Sequence, residues 1–167
     1  MARGRLVDSE IQHWVEGTMP KGPKALERLH PFSRAFIALT RRLHLSPVAS
    51  QVVVRDEKCN IATLVDFVFL NAKERSVVVE LKTGFEGYND VSNGRMRAEF
   101  AHLTNSPGNQ HRVQLALTHA MFETTFPELG AADALLIRMT STGAHVRSLD
   151  RRDSAAARAA MQKGINF

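Results

Sequence analysis

Two stretches joined by a polar turn decide the fold: IATLVDFVFL (Ile61–Leu70), NAKER (residues 71–75) and SVVVELK (Ser76–Lys82). Both outer stretches are rich in residue types that favour strands, and the segment between them is polar, so we predict a β-hairpin. Val77–Val79 and Leu81 make the second strand apolar on both faces. This pattern is typical of a strand in the middle of a buried sheet.

The predicted hairpin places two acidic side chains opposite each other. If the turn is symmetric about Lys73, Asp66 opposes Glu80, and directly opposed residues share a face with Cβ atoms about 5 Å apart. Lys82 lies two residues beyond Glu80 and therefore points to the same face. Two carboxylates this close repel each other unless a cation lies between them. A hard cation such as Mg²⁺ prefers carboxylate oxygens and also binds phosphate.

Lys82 has two possible roles beside such a cation. Its amine would either take a proton from an attacking water or stabilise the charge that develops on a phosphate. The alternative interpretation is that Asp66, Glu80 and Lys82 are ordinary polar positions on a solvated sheet face. The apolar neighbours favour the functional interpretation, because a Glu and a Lys within a buried strand need partners.

The rest of the chain predicts helices around this hairpin. Capping residues and helical spacing predict four helices. The first begins at Asp8 or Ser9, the second covers Phe32–Leu43, the third covers about His111–Thr125, and the fourth runs from Asp153 or Ser154 to near Gly164. Apolar runs predict further strands at Val52–Val54, Ala134–Met139 and Ala144–Leu149. Residues 83–110 are predicted to form a long loop. The order implies an α/β or α+β fold, with a mixed central β-sheet flanked by helices.

Length and composition narrow the class of protein. The chain has 167 residues, which suits one domain, with a helical N-terminal part (1–47), an α/β core (48–150) and a C-terminal helix (151–167). A net charge of +5 permits an anionic partner. The single cysteine, Cys59, excludes an intrachain disulfide framework and a cysteine-cage metal site. No apolar run approaches the roughly 18 residues of a membrane span, and no apolar segment follows residues 1–5, so we expect an intracellular protein without a membrane partner.

Further polar residues are candidates for substrate contact. His111 and Gln114 are three positions apart and so share one face of the predicted third helix. In the long loop, Arg95 and Arg97 are candidates for contact with a nucleic-acid backbone, and Tyr88 is a candidate for stacking on a base. The alternative for all five is an ordinary solvated surface.

The hairpin residues carry a family resemblance. Asp66, followed after thirteen residues by Glu80-Leu81-Lys82, resembles the motif of the PD-(D/E)XK nuclease superfamily. The segment Val113–Thr118 resembles the Q-x-x-x-Y helix motif of the RecB-like, lambda-exonuclease-like branch of that superfamily. The predicted order of helix, hairpin, helix and strand is also similar.

The resemblance implies a restriction-endonuclease-like core and a role for each matching residue. Asp66 and Glu80 would hold one or two Mg²⁺ or Mn²⁺ ions, and the backbone carbonyl of Leu81 would complete the site. Lys82 would assist the attacking water, and Gln114 would position the lysine or the substrate.

Members of the superfamily often carry a further acid on the preceding helix. Glu27 is a candidate for this additional metal ligand, and Glu16 is another. Two positions depart from the family pattern, since Val65 stands in place of proline and Thr118 in place of the tyrosine of the branch motif.

The sequence therefore predicts a metal-dependent deoxyribonuclease that hydrolyses phosphodiester bonds. The resemblance favours an exonuclease that processes DNA ends in replication, recombination or repair, and a homo-oligomer would enlarge its DNA-binding surface. One alternative is a structure-specific endonuclease, such as a junction resolvase. Others are a catalytically silent nucleic-acid-binding or structural subunit, and an unrelated binding domain in which the acidic pair is a coincidence.

Overall fold

A computed structural model describes residues 2–19, 24–84, 88–91, 94–130 and 132–164. The four α-helices are α1 (Ala2–Val15), α2 (Pro31–Arg42), α3 (Pro107–Thr125) and α4 (Arg151–Lys163). The five strands are β1 (Ser46–Asp56), β2 (Ile61–Leu70), β3 (Ser76–Thr83), β4 (Asp133–Thr140) and β5 (Gly143–Ser148).

The strands form one mixed sheet in the order β1-β2-β3-β4-β5. Only β3 and β4 pair in parallel among the described strands, and the connection between them contains α3. The other three pairs are antiparallel. The predicted mixed sheet flanked by helices is therefore confirmed.

Two hydrophobic clusters cover the two faces of the sheet. On one face, Val7 and Ile11 of α1 and Phe36 of α2 pack against Val79 of β3 and its neighbours. On the other face, α3 and α4 cover a cluster that includes Val78. Because Val78 and Val79 belong to opposite clusters, β3 is buried on both faces, as its apolar sequence predicts.

Several predicted boundaries were wrong, and each error has a local cause. The first helix begins at Ala2 and not at Asp8 or Ser9, because Val7 extends the apolar spacing of Ile11 and Val15 towards the N-terminus. The third helix begins at Pro107, one residue after Ser106, whose hydroxyl accepts a hydrogen bond from the Asn109 amide.

The cap of the last helix and the extent of the first strand also differ. Asp150 caps α4 by accepting from the Arg152 amide, while Asp153 is buried inside the first turn of that helix. β1 starts at Ser46, well before the predicted strand at Val52–Val54, because it pairs with the whole length of β2. Among the helices that the structure describes, none has the length and hydropathy required to span a membrane.

Candidate active site

The β2–β3 hairpin has the register that the sequence predicts. Leu70 pairs with Ser76 and Phe67 pairs with Val79, so the turn is symmetric about Lys73. The hydrogen-bonded pairs end at Phe67 and Val79. Asp66 and Glu80 are the next residues along the two strands, and they come together just where the strands separate.

A break in the side-chain alternation of β2 accompanies this separation. Val65 packs in the cluster under α3 and α4, whereas Phe67 packs in the cluster under α1 and α2, although residues two apart on a regular strand share a face. Asp66, at the break, uses its carboxylate as an acceptor for the backbone N–H of Leu81 at 2.8 Å. This bond satisfies an amide that the ladder no longer pairs, and it fixes the Asp66 carboxylate against β3.

Glu80 is a carboxylate inside the protein. The residue is 1% exposed, and its Oε1 accepts a hydrogen bond from Nζ of Lys82 at 2.5 Å. Lys82 is itself mostly covered. A buried carboxylate is costly unless it is paired, and this lysine is its one cationic partner within ion-pair distance among the described residues.

The pKa values of Asp66 and Glu80 show that one lysine does not offset the cost of ionising two carboxyl groups in this site. Burial, and after it the nearby charge of Asp66, raise the pKa of Glu80 to about 7 against the lowering effect of Lys82. Burial also raises the pKa of Asp66, although the Leu81 amide and Lys82 oppose this shift. In both acids burial is the largest cause, and Lys82 does not offset it, so the ionised forms are costly in this site.

A third acid, Asp8 of α1, lies at the rim of the same site. Partial burial and the negative charge of Asp66 raise the pKa of Asp8 to about 6, and Lys82 opposes this shift. The sequence predicts Asp8 as a possible helix cap, whereas the structure has it inside α1 and close enough to the site for the charges of Asp66 and Lys82 to act on it. The spacing of Val7, Ile11 and Val15 marks the buried stripe of α1, but it does not show which site the neighbouring Asp8 reaches.

The acid set fits a hard divalent cation of the Mg²⁺ type. When ionised, Asp8, Asp66 and Glu80 carry three negative charges close to the single positive charge of Lys82. Within the described part of the chain, no group of three or more His, Cys, Asp or Glu side chains is gathered closely enough to form a complete metal cage. Mg²⁺ does not need such a cage, because it is usually held by one or two carboxylates and completes its coordination with water and phosphate.

Helix α3 carries His111 to within reach of the charge of Lys82. Burial, and after it the positive charge of Lys82, lower the pKa of His111 to about 4. The His111 ring lies 5.5 Å from the ring of Tyr88, and the charge of Glu80 acts on the Tyr88 hydroxyl, so both predicted substrate-contact residues lie near the site. Gln114 is half-buried one turn further along α3, and no hydrogen bond joins it to Asp66 or Lys82 within the described residues.

Other predicted residues lie elsewhere. Glu27 is exposed on a short 3₁₀ helix (Leu26–Arg28) and is not among the charges that act on Asp66 or Glu80, whereas the charge of Asp8 does act on Glu80. Glu16 instead accepts a hydrogen bond from the Ser50 hydroxyl at 2.7 Å.

The two loop arginines are exposed, and neither contacts the acidic pair among the described residues. Arg95 turns back on its own loop, where its guanidinium donates to the carbonyls of Ala101 and His102 at 3.5 Å. Arg97 borders an apolar cavity of about 420 Å³ between this loop and α4. Their predicted contact with nucleic acid stays a prediction.

Two solved structures show a distant likeness to this chain. No protein-family model matches the chain, and no curated protein matches it. The crystal structure of SSO0001 aligns with 12% identity and a TM-score of 0.38, over 77% of this chain and 54% of that one. A protein from Eubacterium rectale, proposed to be an exonuclease, aligns with 13% identity and a TM-score of 0.49, over 95% of this chain and 63% of that one. The chain thus spans less than two thirds of either protein, and any functional conclusion depends on its own side chains.

Proposed function

We propose that this protein is a metal-dependent DNA nuclease whose active site is built from Asp66, Glu80 and Lys82. The observation that carries the proposal lies at the point where β2 and β3 separate. There the buried carboxylate of Glu80 is paired with Lys82, and the Leu81 amide holds a second carboxylate, that of Asp66, within reach of the same lysine's charge. An acid set with too few cations suits a site that receives Mg²⁺ or Mn²⁺ together with a phosphodiester.

Each residue has a role that follows from its contacts. Asp66 and Glu80 would hold the metal, and the Leu81 carbonyl is a further candidate ligand. Asp8 of α1 would add negative charge near the ion without being one of its ligands. When bound, the metal would offset charge on the scissile phosphate and make a coordinated water more acidic. The Leu81 amide holds Asp66 in place for this task, since the hydrogen bond fixes the carboxylate against β3.

Lys82 acts as a cation in this scheme. Its Nζ donates to Glu80 at 2.5 Å, which orients the carboxylate and leaves further N–H donors for a water or a phosphate oxygen. A positive group already in place stabilises the charge that develops on phosphorus-bound oxygens without reorganising during the reaction. The charge of Lys82 acts on His111, whose ring lies 5.5 Å from that of Tyr88, and the two rings would limit access of solvent to the site.

The test is a cleavage assay with end-labelled linear DNA, with and without Mg²⁺ or Mn²⁺. Wild-type protein is expected to cut only with metal, and Asp66→Asn and Lys82→Ala are expected to lose activity by about a thousandfold, since a metal site is worth several kcal/mol of transition-state stabilisation. Glu128→Gln and Lys73→Ala are matched controls, because both residues are exposed and lie outside the site. Metal-independent cleavage, or full activity in Lys82→Ala, would contradict the proposal.

The finer proposal is an exonuclease, which the resemblance to the RecB-like branch supports. Closed circular DNA in the same assay tests this point, because an exonuclease needs a free end. We expect linear DNA to be degraded and circular DNA to survive. Cutting of circular or branched DNA would instead support the endonuclease alternative, and an RNA strand of the same sequence tests the preference for DNA.

A further inference from the structure

A row of basic side chains begins at the proposed active site and crosses three strands. Lys82 on β3 pairs with Arg138 on β4, and Arg138 pairs with His145 on β5. Directly paired residues share a face of the sheet, and neighbouring strands lie about 4.8 Å apart. The three groups therefore stand side by side, with Lys82 at the end nearest Glu80.

Arg147 extends this row along the edge strand. It pairs with Leu136, which belongs to the cluster under α3 and α4, so Arg147 and His145 lie on the same face as Lys82. Every residue of β5 is exposed. The basic row, defined as Lys82, Arg138, His145 and Arg147, thus runs from a mostly buried lysine to open solvent.

The two arginines of the row have no carboxylate partner within 4 Å among the residues that the structure describes. In contrast, Arg112 is held by Asp153 and Arg158 by Glu123. The acid nearest the start of α4, Asp150, is occupied as the cap of that helix. Two guanidinium groups are therefore left with their charge uncompensated, beside a site that we propose binds phosphate.

An aromatic ring supports one of these guanidinium groups. The Cζ atom of Arg138 lies 4.3 Å from the centre of the Tyr88 ring, a cation–π contact that restricts the side chain. The hydroxyl of Tyr88 also connects the row with the active site through electrostatic effects. Burial raises the pKa of this hydroxyl, Arg138 and Arg147 lower it, and Glu80 raises it. Both arginines and the buried carboxylate thus act on one atom.

We propose that Arg138, His145 and Arg147 bind the phosphates of a nucleic-acid strand that extends from the active site across β4 to the edge strand β5. This inference rests on the proposed function, since the row starts at Lys82. Arginine suits the task because its planar fork of donors matches phosphate oxygens. Contacts to the backbone position a strand without reading its sequence, so the row would hold DNA of any sequence in register with the carboxylates.

The experiment measures binding of a short fluorescently labelled single-stranded DNA in EDTA, where no metal-dependent cleavage occurs. The double variant Arg138→Ala/Arg147→Ala is expected to weaken affinity at least about tenfold and to reduce the slope of log K against log salt by about 0.7 for each lost contact. Arg138→Lys/Arg147→Lys, which keeps both charges, is expected to keep most of the slope.

The matched control is Arg41→Ala/Arg42→Ala. It removes the same charge from exposed arginines at the end of α2, on the opposite face of the sheet, and is expected to bind as wild type. Equal affinity of wild type and Arg138→Ala/Arg147→Ala, or an equal loss in the Arg41/Arg42 control, would overturn the inference. Arg147→Ala alone changes an exposed residue of the edge strand, and its melting curve shows whether a loss of affinity in this variant reflects unfolding. A folded Arg147→Ala with wild-type affinity and salt slope would contradict the proposal that the basic row binds the strand.

The result separates this inference from the proposed function. A wild-type protein that binds DNA through the two arginines but never cleaves it would support the basic row and contradict the nuclease. A protein that cleaves DNA with metal, but whose affinity does not depend on the two arginines, would support the nuclease and overturn the basic row.

Discussion

Two buried carboxylates in this protein differ in how fully their negative charge is paired. Asp153 on α4 and Glu80 on β3 are each 1% exposed. Asp153 accepts from Arg112 at 2.8 and 2.9 Å and from His102 at 2.9 Å, so its charge is fully engaged by groups of the chain. Among the residues that the structure describes, Glu80 has only Lys82 as a cationic partner, and the charge of that lysine also acts on Asp66 and Asp8. The compensated carboxylate ties elements together, whereas the under-compensated one is suited to an external cation.

The largest effect on stability is expected at the compensated carboxylate. Asp153→Asn leaves Arg112 without its counter-charge in the interior and should lower the free energy of unfolding by about 3–5 kcal/mol. Glu80→Gln should be neutral or stabilising in metal-free buffer, because it removes a buried charge that is poorly compensated. Urea denaturation of both variants measures the difference, and equal losses would erase the contrast between the two sites.

The next largest effect is expected in the pH dependence of stability at Glu80. The folded-state pKa of Glu80, about 7, lies above its ordinary value of 4.5. The stability linked to its proton is therefore complete below about pH 4.5 and is lost as the pH rises through 7. In EDTA, the melting temperature of wild type relative to Glu80→Gln should fall between pH 5 and pH 8. A constant difference across that range would mean that Glu80 does not titrate as described.

Bound metal should reverse this loss. Mg²⁺ or Mn²⁺ is expected to raise the melting temperature of wild type at pH 8, with a gain of about 2.7 kcal/mol at a hundredfold excess over the dissociation constant. Asp66→Asn should lose the gain, and Glu128→Gln, at an exposed position, should keep it. Thermal unfolding with and without metal is the measurement, and an equal rise in Asp66→Asn would place the metal elsewhere.

The smallest expected effect is that of Gln114→Ala. Gln114 lies one turn beyond His111 and makes no hydrogen bond to the acidic pair among the described residues, so its loss should slow cleavage by about tenfold, far less than Asp66→Asn. Steady-state kinetics on linear DNA test this order. Equal losses in the two variants would show that Gln114 acts directly on the reacting groups.

What the sequence predicted correctly was local in the chain. The register that brings Asp66 towards Glu80 depends on the polar turn at residues 71–75 and on the period-two pattern beside it, both of which lie within one hairpin. A short connection leaves little freedom, so symmetry about Lys73 was sufficient to derive it.

What the sequence missed depends on contacts between distant segments. Asp8 reaches the site because α1 packs across the sheet, and no local pattern specifies that placement. Arg138 and Arg147 join Lys82 through the parallel pairing of β3 with β4, across a connection that contains the whole of α3. Such pairings are set by tertiary packing and not by the spacing of residues along the chain.

The most direct test of the central claim is a Mn²⁺ titration of the DNA-free protein, with free Mn²⁺ followed by electron paramagnetic resonance. Wild type and Asp153→Asn, both measured under conditions where they are folded, should bind the ion, and Asp66→Asn and Glu80→Gln should not. Binding that survives in Asp66→Asn and Glu80→Gln, or no binding in wild type, would contradict the claim that these two carboxylates form a cation site.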